Sequence, residues 1–490
     1  MHQQNNLLQK RVNLFDGFSL VAGSMIGSGI FIVSADIARS VGSPGWLMIV
    51  WLITGIITII GAMSYGELAS MMPHVGGQYV YLKESYHPLI GFLFGWTTFL
   101  VVQCGSIAAV AVAFAKYSGV LIPWISEKNI LIHIGPVGVN STMAVAIVMI
   151  IFLTWLNTRG IVTGKTVQNF FTSTKVIALL GFVLIGIIAA KSLGINEINK
   201  EMLWNASRTG ADNQVIPLKG FGIVAAVGTA LVGSLFASDA WYNVTYISGE
   251  VVNPRRNVPL SLLLGTLIVT IIYLLTNYIY IRVLPLAGSP DGTDVVSRGI
   301  QFATDDRVAT SAMYVILGDY AAIIMALFII VSTFGCNQAL ILAGPRVYYA
   351  MAKDGLFFRK AGELNRFGVP GFAIAVQGIW SVLLCLSGTY SDLLDYVIFA
   401  VLIFFSLTIF SIFILRVKRP DIPRPYKAFG YPVVPALYIL TTVAIMIILL
   451  IYKPRYTFPG LILVLIGIPV FYLWRRKSGT STDILKNRRE

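Results

Sequence analysis

The sequence predicts an all-α integral membrane protein with twelve spanning helices, and three observations predict it. Hydrophobic residues make up 56% of the 490 and charged residues 12%, about half the charged share of an ordinary soluble domain. Apolar runs of about 20 residues, the length that crosses a bilayer, recur from end to end. Two of these runs are interrupted at matching places, five spans apart. A soluble chain of this length would divide into domains of roughly 150 residues each. Here the solvent around most of the surface must be lipid, and one membrane domain is the simplest organisation.

The apolar runs fall at roughly 16–40, 46–71, 89–115, 141–157, 166–190, 220–249, 258–284, 318–350, 371–388, 393–415, 431–452 and 457–474. They divide the chain into an N-terminal segment (1–15), a first repeat of five spans (16–190), a loop (191–219), a second repeat (220–416), two appended spans (417–474) and a basic tail (475–490). Connections are mostly short. Those at about 191–218 and 285–317 are polar enough to form external caps or short surface helices. The N-terminus is polar and no small-residue cleavage site follows it, so the first span is expected to serve as the targeting signal.

A net charge of +14 can accompany nucleic-acid binding. In this chain the basic residues sit in short loops between apolar runs, which excludes that class and instead gives orientation. Of the 36 Lys and Arg, 23 fall on the side of the two termini and 12 on the other. Both termini are therefore expected in the cytoplasm, with the chain in the cell membrane. The residue on neither side is Lys175, deep in span five. Cys104, Cys336 and Cys385 each lie inside an apolar run without CxxC spacing, which signals neither a disulfide framework nor a metal site. His74 and His87 lack metal-ligand spacing. No metal and no cofactor are expected, and with no nucleophile–base set, phosphate loop or paired carboxylates, no enzymatic activity either.

The interruptions carry the chemistry. Span one contains Gly23-Ser24-Met25-Ile26-Gly27-Ser28-Gly29, and span six Phe236-Ala237-Ser238-Asp239-Ala240-Trp241. Paired breaks in two halves point to a LeuT-like inverted repeat, spans 1–5 and 6–10, with a solute site at the bilayer midplane. A glycine costs about 1 kcal/mol relative to alanine inside a helix, so Gly27 and Gly29 favour local unwinding. The freed N–H groups need a partner in lipid, and an anionic carboxylate at the start of the next half-helix supplies one. Close helix packing through small residues is the plainer use of these glycines. At span six the carbonyl end of the first half-helix suits an ammonium group, and Phe236 can cover the bound solute. Asp239 is ionisable at membrane depth. It either caps the second half-helix, contacts a substrate amine directly or through water, or carries a proton. N–H groups on one side and carbonyls on the other fit a zwitterion, an α-amino acid.

Lys175 lies about ten residues into its span, roughly 15 Å along a helix. A charge near the bilayer centre is costly and pairs inward. Its ammonium can stand where a coupling sodium ion would, bridging span one to span eight near Ser332; a burial-lowered pKa would instead let it exchange protons; snorkelling to the interface is the bland alternative. Glu67 reads as a structural hydrogen-bond partner. Tyr273 and Asn277 in span seven either line the pathway or join helices.

These residues belong to an ordered series: Gly27 to Phe31, Tyr65-Gly66-Glu67-Leu68, Gly76 to Leu82, Phe171 to Lys175, Gly249-Glu250, Asn253-Pro254-Arg255-Arg256, Arg346 to Gly355, and Arg419 to Lys427. The series resembles the amino acid–polyamine–organocation superfamily, specifically its L-type amino-acid transporters, which include the light chains of heteromeric transporters. The resemblance implies sodium-independent exchange of amino acids by alternating access. Carried onto this chain, it implies substrate contacts at Met25, Ile26, Gly27, Ser28, Gly29 and Ile30, at Phe236, Ala237, Ser238 and Asp239, and at Tyr273. Phe236 would be the gate, with Lys175 and Ser332 forming the surrogate for a sodium site.

Two departures from that family stand out. Where it commonly shows Gly-Trp-Asn, this chain has Ala240-Trp241-Tyr242 followed by Asn243, so polar contacts to a substrate side chain are open to change. The loop at about 116–140 has no cysteine, so no disulfide-linked heavy chain is expected and a free-standing prokaryotic type is favoured. The expected function is exchange of small neutral L-amino acids. Its rival within transport is proton-coupled symport, and its rival from another class is a membrane sensor, for which the basic tail offers no signalling domain.

Overall fold

Proline and short polar side chains set where several helices begin. A computed structural model describes residues 8–134, 137–191, 193–210, 213–387 and 390–477. Helix α1 (Leu14–Met25) starts at a capping box in which Asn13 and Asp16 each accept the other's backbone N–H, an arrangement whose loss costs about 1 kcal/mol. Ile26 is extended, and α2 (Gly29–Val41) leaves at 42° to α1. The bend falls on the glycine-rich segment, as the sequence predicts.

Helix α3 (Pro44–Met71) begins at Ser43-Pro44 and is followed by a short, largely buried helix, α4 (Gln78–Ser85). Helix α5 (Pro88–Thr97) runs through a π-helical turn at Thr98–Gln103 into α6 (Cys104–Leu121). A hairpin, β1 (Ile130–Ile134) against β2 (Val137–Asn140), leads into α7 (Ser141–Asn157) and α8 (Ile161–Ala189). Next come α9 (Ile195–Glu201), the hairpin of β3 (Ser207–Thr209) and β4 (Val215–Pro217), and α10 (Phe221–Ala237). After one turn, α11 (Asn243–Tyr246), the chain enters α12 (Pro254–Val283). Short helices α13 (Val295–Arg298) and α14 (Val308–Leu317) precede α15 (Ala321–Ala343), and α16 (Pro345–Lys353) follows it across Gly344-Pro345. The chain closes with α17 (Gly371–Ser387), α18 (Tyr390–Lys418), α19 (Val433–Tyr452) and α20 (Pro454–Lys477).

Among the described residues, eight helices are long and apolar enough to cross a membrane, nine if α1 and α2 form one bent span, and three more apolar helices are shorter. The chain is a multi-pass, all-helical membrane protein; its four strands lie in loops between spans. The two polar connections hold short elements, α9 and β3–β4 in one and α13 and α14 in the other, although half of α14 is buried. One expectation is corrected: span six has no second half-helix of length. Beyond Ala237 the chain makes only α11 and a single 3-10 turn at Ser248–Glu250, because Ala240 takes a left-handed φ of 66° and Asn253-Pro254 starts a new helix.

Helix α1 lies among α8, α12 and α15, α2 runs along α10, and α3 along α12. Helix α8 meets α1 through a ladder of polar contacts. Lys165 pairs with Asp16 at 2.7 Å, Gln168 and Thr172 donate to Ser19 O at 3.3 and 3.0 Å, and Lys175 reaches the break. Gly23 leaves room for this contact, since a Cβ there would stand 1.8 Å from Gln168 Nε2 and displace that side chain.

Candidate functional site

The break in span one leaves two sets of backbone groups without helical partners. Carbonyls of the last turn of α1 lose their intrahelical N–H donors, and amides of the first turn of α2, from Gly29, lack intrahelical acceptors. The carbonyls are taken by α8 and α15. Lys175 is 2% exposed and its Nζ donates to Gly23 O at 2.7 Å, Ile26 O at 2.6 Å and Ser332 O at 3.4 Å. Among the described residues it has no carboxylate partner. Ser332 Oγ donates between Ile26 O and Gly27 O, at 3.1 and 3.0 Å. The ammonium points inward, away from either interface, so the snorkelling alternative does not describe it.

On the other side of the break lies a cavity of about 40 Å³. Of the expected contacts, Met25, Gly27, Ser28, Gly29, Phe236, Ala237 and Asp239 line it. Ile26, Ile30, Ser238 and Tyr273 do not. Ile26 and Ile30 are buried in the core, and Ser238 faces a separate small void with Thr58 and Tyr438. Tyr273 OH lies 3.0 Å from Met25 O and 3.1 Å from Ala237 O. It thus ties the ends of α1 and α10 together, in place of lining the pathway. Asn277 also joins helices, accepting from Ser34 Oγ of α2.

Asp239 does not cap a half-helix: α11 has no side-chain cap, and the Asp239 carboxylate accepts from Tyr242 OH at 3.3 Å. Tyr242, the departure noted in the sequence, is buried among Trp241, Tyr246 and Phe405. Outside the two broken segments, four lining residues escaped sequence reasoning: Ser106 and Val110 of α6, and Cys336 and Leu340 of α15. Cys336 follows Ser332 by four residues, the spacing that puts two side chains on one helix face, so α15 carried a usable signal. Ser106 carried none. It enters the cavity only because α6 packs along α15.

A vestibule of about 990 Å³ reaches the site from the face opposite the N-terminus. Its rim holds Lys116, Glu127 and Asp305 to Arg307, and its floor Ser28, Gly29 and Phe236, which also border the inner cavity. Phe236 therefore stands between the two spaces. Toward the N-terminal face the structure is closed. Arg346 and Glu250, both fully buried, form a two-point ion pair at 2.7 and 3.2 Å. Glu250 O accepts the amides of Arg11 and Val12 at 2.9 and 3.0 Å, and Val252 N donates back to Val12 O at 2.8 Å. Glu67 is a structural partner, as expected: it binds Arg416 at 2.7 Å and the Ala428 amide at 2.7 Å.

The family profile described as amino acid permease matches residues 12–471. The chain belongs to that amino acid permease family. Within the amino acid–polyamine–organocation superfamily the permease is similar to the b(0,+)-type amino acid transporter 1 of Mus musculus, 27% identical over 467 residues, 95% of this chain and 88% of the relative. It is also similar to the large neutral amino acids transporter small subunit 2 of Homo sapiens, 28% identical over 485 residues, 98% of this chain and 83% of the relative. A third similar protein, the b(0,+)-type transporter of Oryctolagus cuniculus, is 29% identical over 422 residues, 86% and 79% of the two chains. These relatives are transporters and not enzymes. The permease's three cysteines are all buried within helices.

Proposed function

We propose that this permease exchanges small neutral L-amino acids by alternating access, without sodium. The observation that carries the reading is the Lys175 ammonium, held by Gly23 O, Ile26 O and Ser332 O behind the broken span. A fixed positive charge there repels a coupling cation from the same carbonyls, so binding of substrate need not wait for an ion. The substrate carboxylate would meet the amides of Ser28, Gly29 and Ile30 at the start of α2, where the helix dipole favours an anion. Its ammonium would meet the carbonyl ends of α1 and α10 and the Asp239 carboxylate. Around the remaining space stand Ser24, Ser106, Val110, Ala237, Ala240 and Cys336, all small or apolar, which supports a short uncharged side chain. Phe236 is the gate to the vestibule in this reading.

The same proposal takes the chain as twelve spans in two inverted sets of five, 16–190 and 220–416, with spans eleven and twelve added. It places both termini in the cytoplasm of a cell whose surface membrane holds the protein, on the Lys and Arg asymmetry of the loops. It needs no disulfide-linked heavy chain, because no cysteine lies in the loop at about 116–140.

Proton-coupled symport is the second reading, and Asp239 favours it: this carboxylate lines the cavity with Tyr242 OH as its side-chain partner. Proteoliposomes loaded with labelled alanine separate the two. Exchange requires that efflux wait for an amino acid outside, regardless of sodium or a pH gradient. Net accumulation in empty vesicles driven by external acid would overturn exchange in favour of symport. Binding without any flux would instead mark a sensor.

A further inference from the structure

The hairpin β1–β2 exposes apolar side chains on both faces of one strand. Ile130, Leu131 and Ile132 are 52%, 46% and 58% exposed, and Ile122 and Trp124 just before them are 54% and 57%. A strand surrounded by water alternates apolar and polar residues, and contiguous exposed apolar groups mark an interaction surface. Its surroundings identify the partner. β2 rests against α7 and α17, and α7 has 17 residues. At 1.5 Å per residue that is about 25 Å, short of the roughly 30 Å of a bilayer's hydrocarbon core.

The lipid-facing stripe of α7, Val148, Ile151, Phe152 and Trp155, is exposed in the same way and runs toward the hairpin. At the far end of that stripe the Arg159 guanidinium lies 4.7 Å over the Trp155 ring, the aromatic and basic pairing that marks a membrane interface. With that end anchored, a short helix leaves its other end below the bilayer surface, and the mismatch must be filled or the bilayer thinned. The hairpin is fixed at that depth: Ser141 N donates to Asn129 O at 2.9 Å, and Ser141 Oγ donates to Trp124 O at 2.8 Å.

We propose that β1–β2 with Trp124 is a lipid-interface element, a shelf lying in the headgroup region that completes the hydrophobic height of α7. Its occupant is the phospholipid surface of the permease's own bilayer, not a second protein. The unpaired edges of a two-stranded hairpin keep it at the level where water still reaches the backbone.

The test places a nitroxide label on Leu131→Cys in full-length permease reconstituted in phosphatidylethanolamine–phosphatidylglycerol vesicles, with Asp291→Cys as a loop control. Molecular oxygen concentrates in lipid and a nickel chelate in water. The expected result is a label at position 131 that collides with oxygen more than with nickel, while the control shows the reverse. Nickel accessibility at 131 equal to that of the control overturns the proposal. So does exclusion of both reagents, which would mean that protein covers the hairpin. A second measurement needs no label: Leu131→Asp with Ile132→Asp should lose transport as acyl chains lengthen, while the unaltered permease tolerates the change. An identical chain-length profile would also overturn it.

Discussion

Lys175 is the side chain on which the proposed exchange rests. Three carbonyls hold its ammonium across α1, α8 and α15, so its loss frees the break rather than the core. Lys175→Ala should cut exchange flux by well over tenfold while expression and monodispersity in detergent stay near normal. Unchanged kinetics in proteoliposomes would refute the role. Ala240 gives a second residue-scale prediction. It holds φ at 66°, where a Cβ costs roughly 1–2 kcal/mol and glycine costs nothing beyond its own entropy. Ala240→Gly should therefore stabilise the protein by about 1 kcal/mol, net of glycine's entropic cost. Thermal melting in detergent reads this directly.

At the scale of elements, the closure of the N-terminal face depends on a buried ion pair and a strand-like bridge. Removing one partner of a buried pair leaves a charge without compensation, a cost of about 3–5 kcal/mol, whereas replacing both by apolar groups is often neutral. Arg346→Met should accordingly lower the melting temperature markedly, and adding Glu250→Met should restore most of it. Failure of the double variant to recover would show that Glu250 O, which accepts from Arg11 and Val12, needs the side chain to hold its place. The legibility of elements differs in an instructive way. The break at Gly27-Ser28-Gly29 is plain in sequence because glycine weakens a helix wherever it stands. The shrinking of span six's second half to short turns is not, because Trp241, Tyr242 and Tyr246 read as apolar helix and only the packing of Trp241 and Tyr242 on Phe405, and of Tyr246 on Tyr242, shows them filling a core.

For the whole molecule, the vestibule on one face and the closed network on the other are what the proposed alternating access requires of one end of its cycle. In this conformation the only native thiol on the cavity is Cys336, among the three cysteines of the chain. A small membrane-impermeant thiol reagent added from the vestibule side should label it. Substrate should slow the reaction, and Cys336→Ser should abolish it. Labelling that substrate does not affect would place the amino acid elsewhere.

Composition, run length and charge asymmetry determined by themselves that this is a multi-pass helical membrane protein. They also marked the broken spans and the buried Lys175, because a bilayer penalises unsatisfied backbone and buried charge so strongly that both leave local signatures. Which residues share the cavity was decided only by tertiary packing. Ser106, Cys336 and Leu340 come to Phe236 and Asp239 from helices far apart in the chain, and Tyr273 turns from a lining residue into a tie between two helix ends. No local pattern records such meetings, since they follow from how α6, α12 and α15 cross around the break.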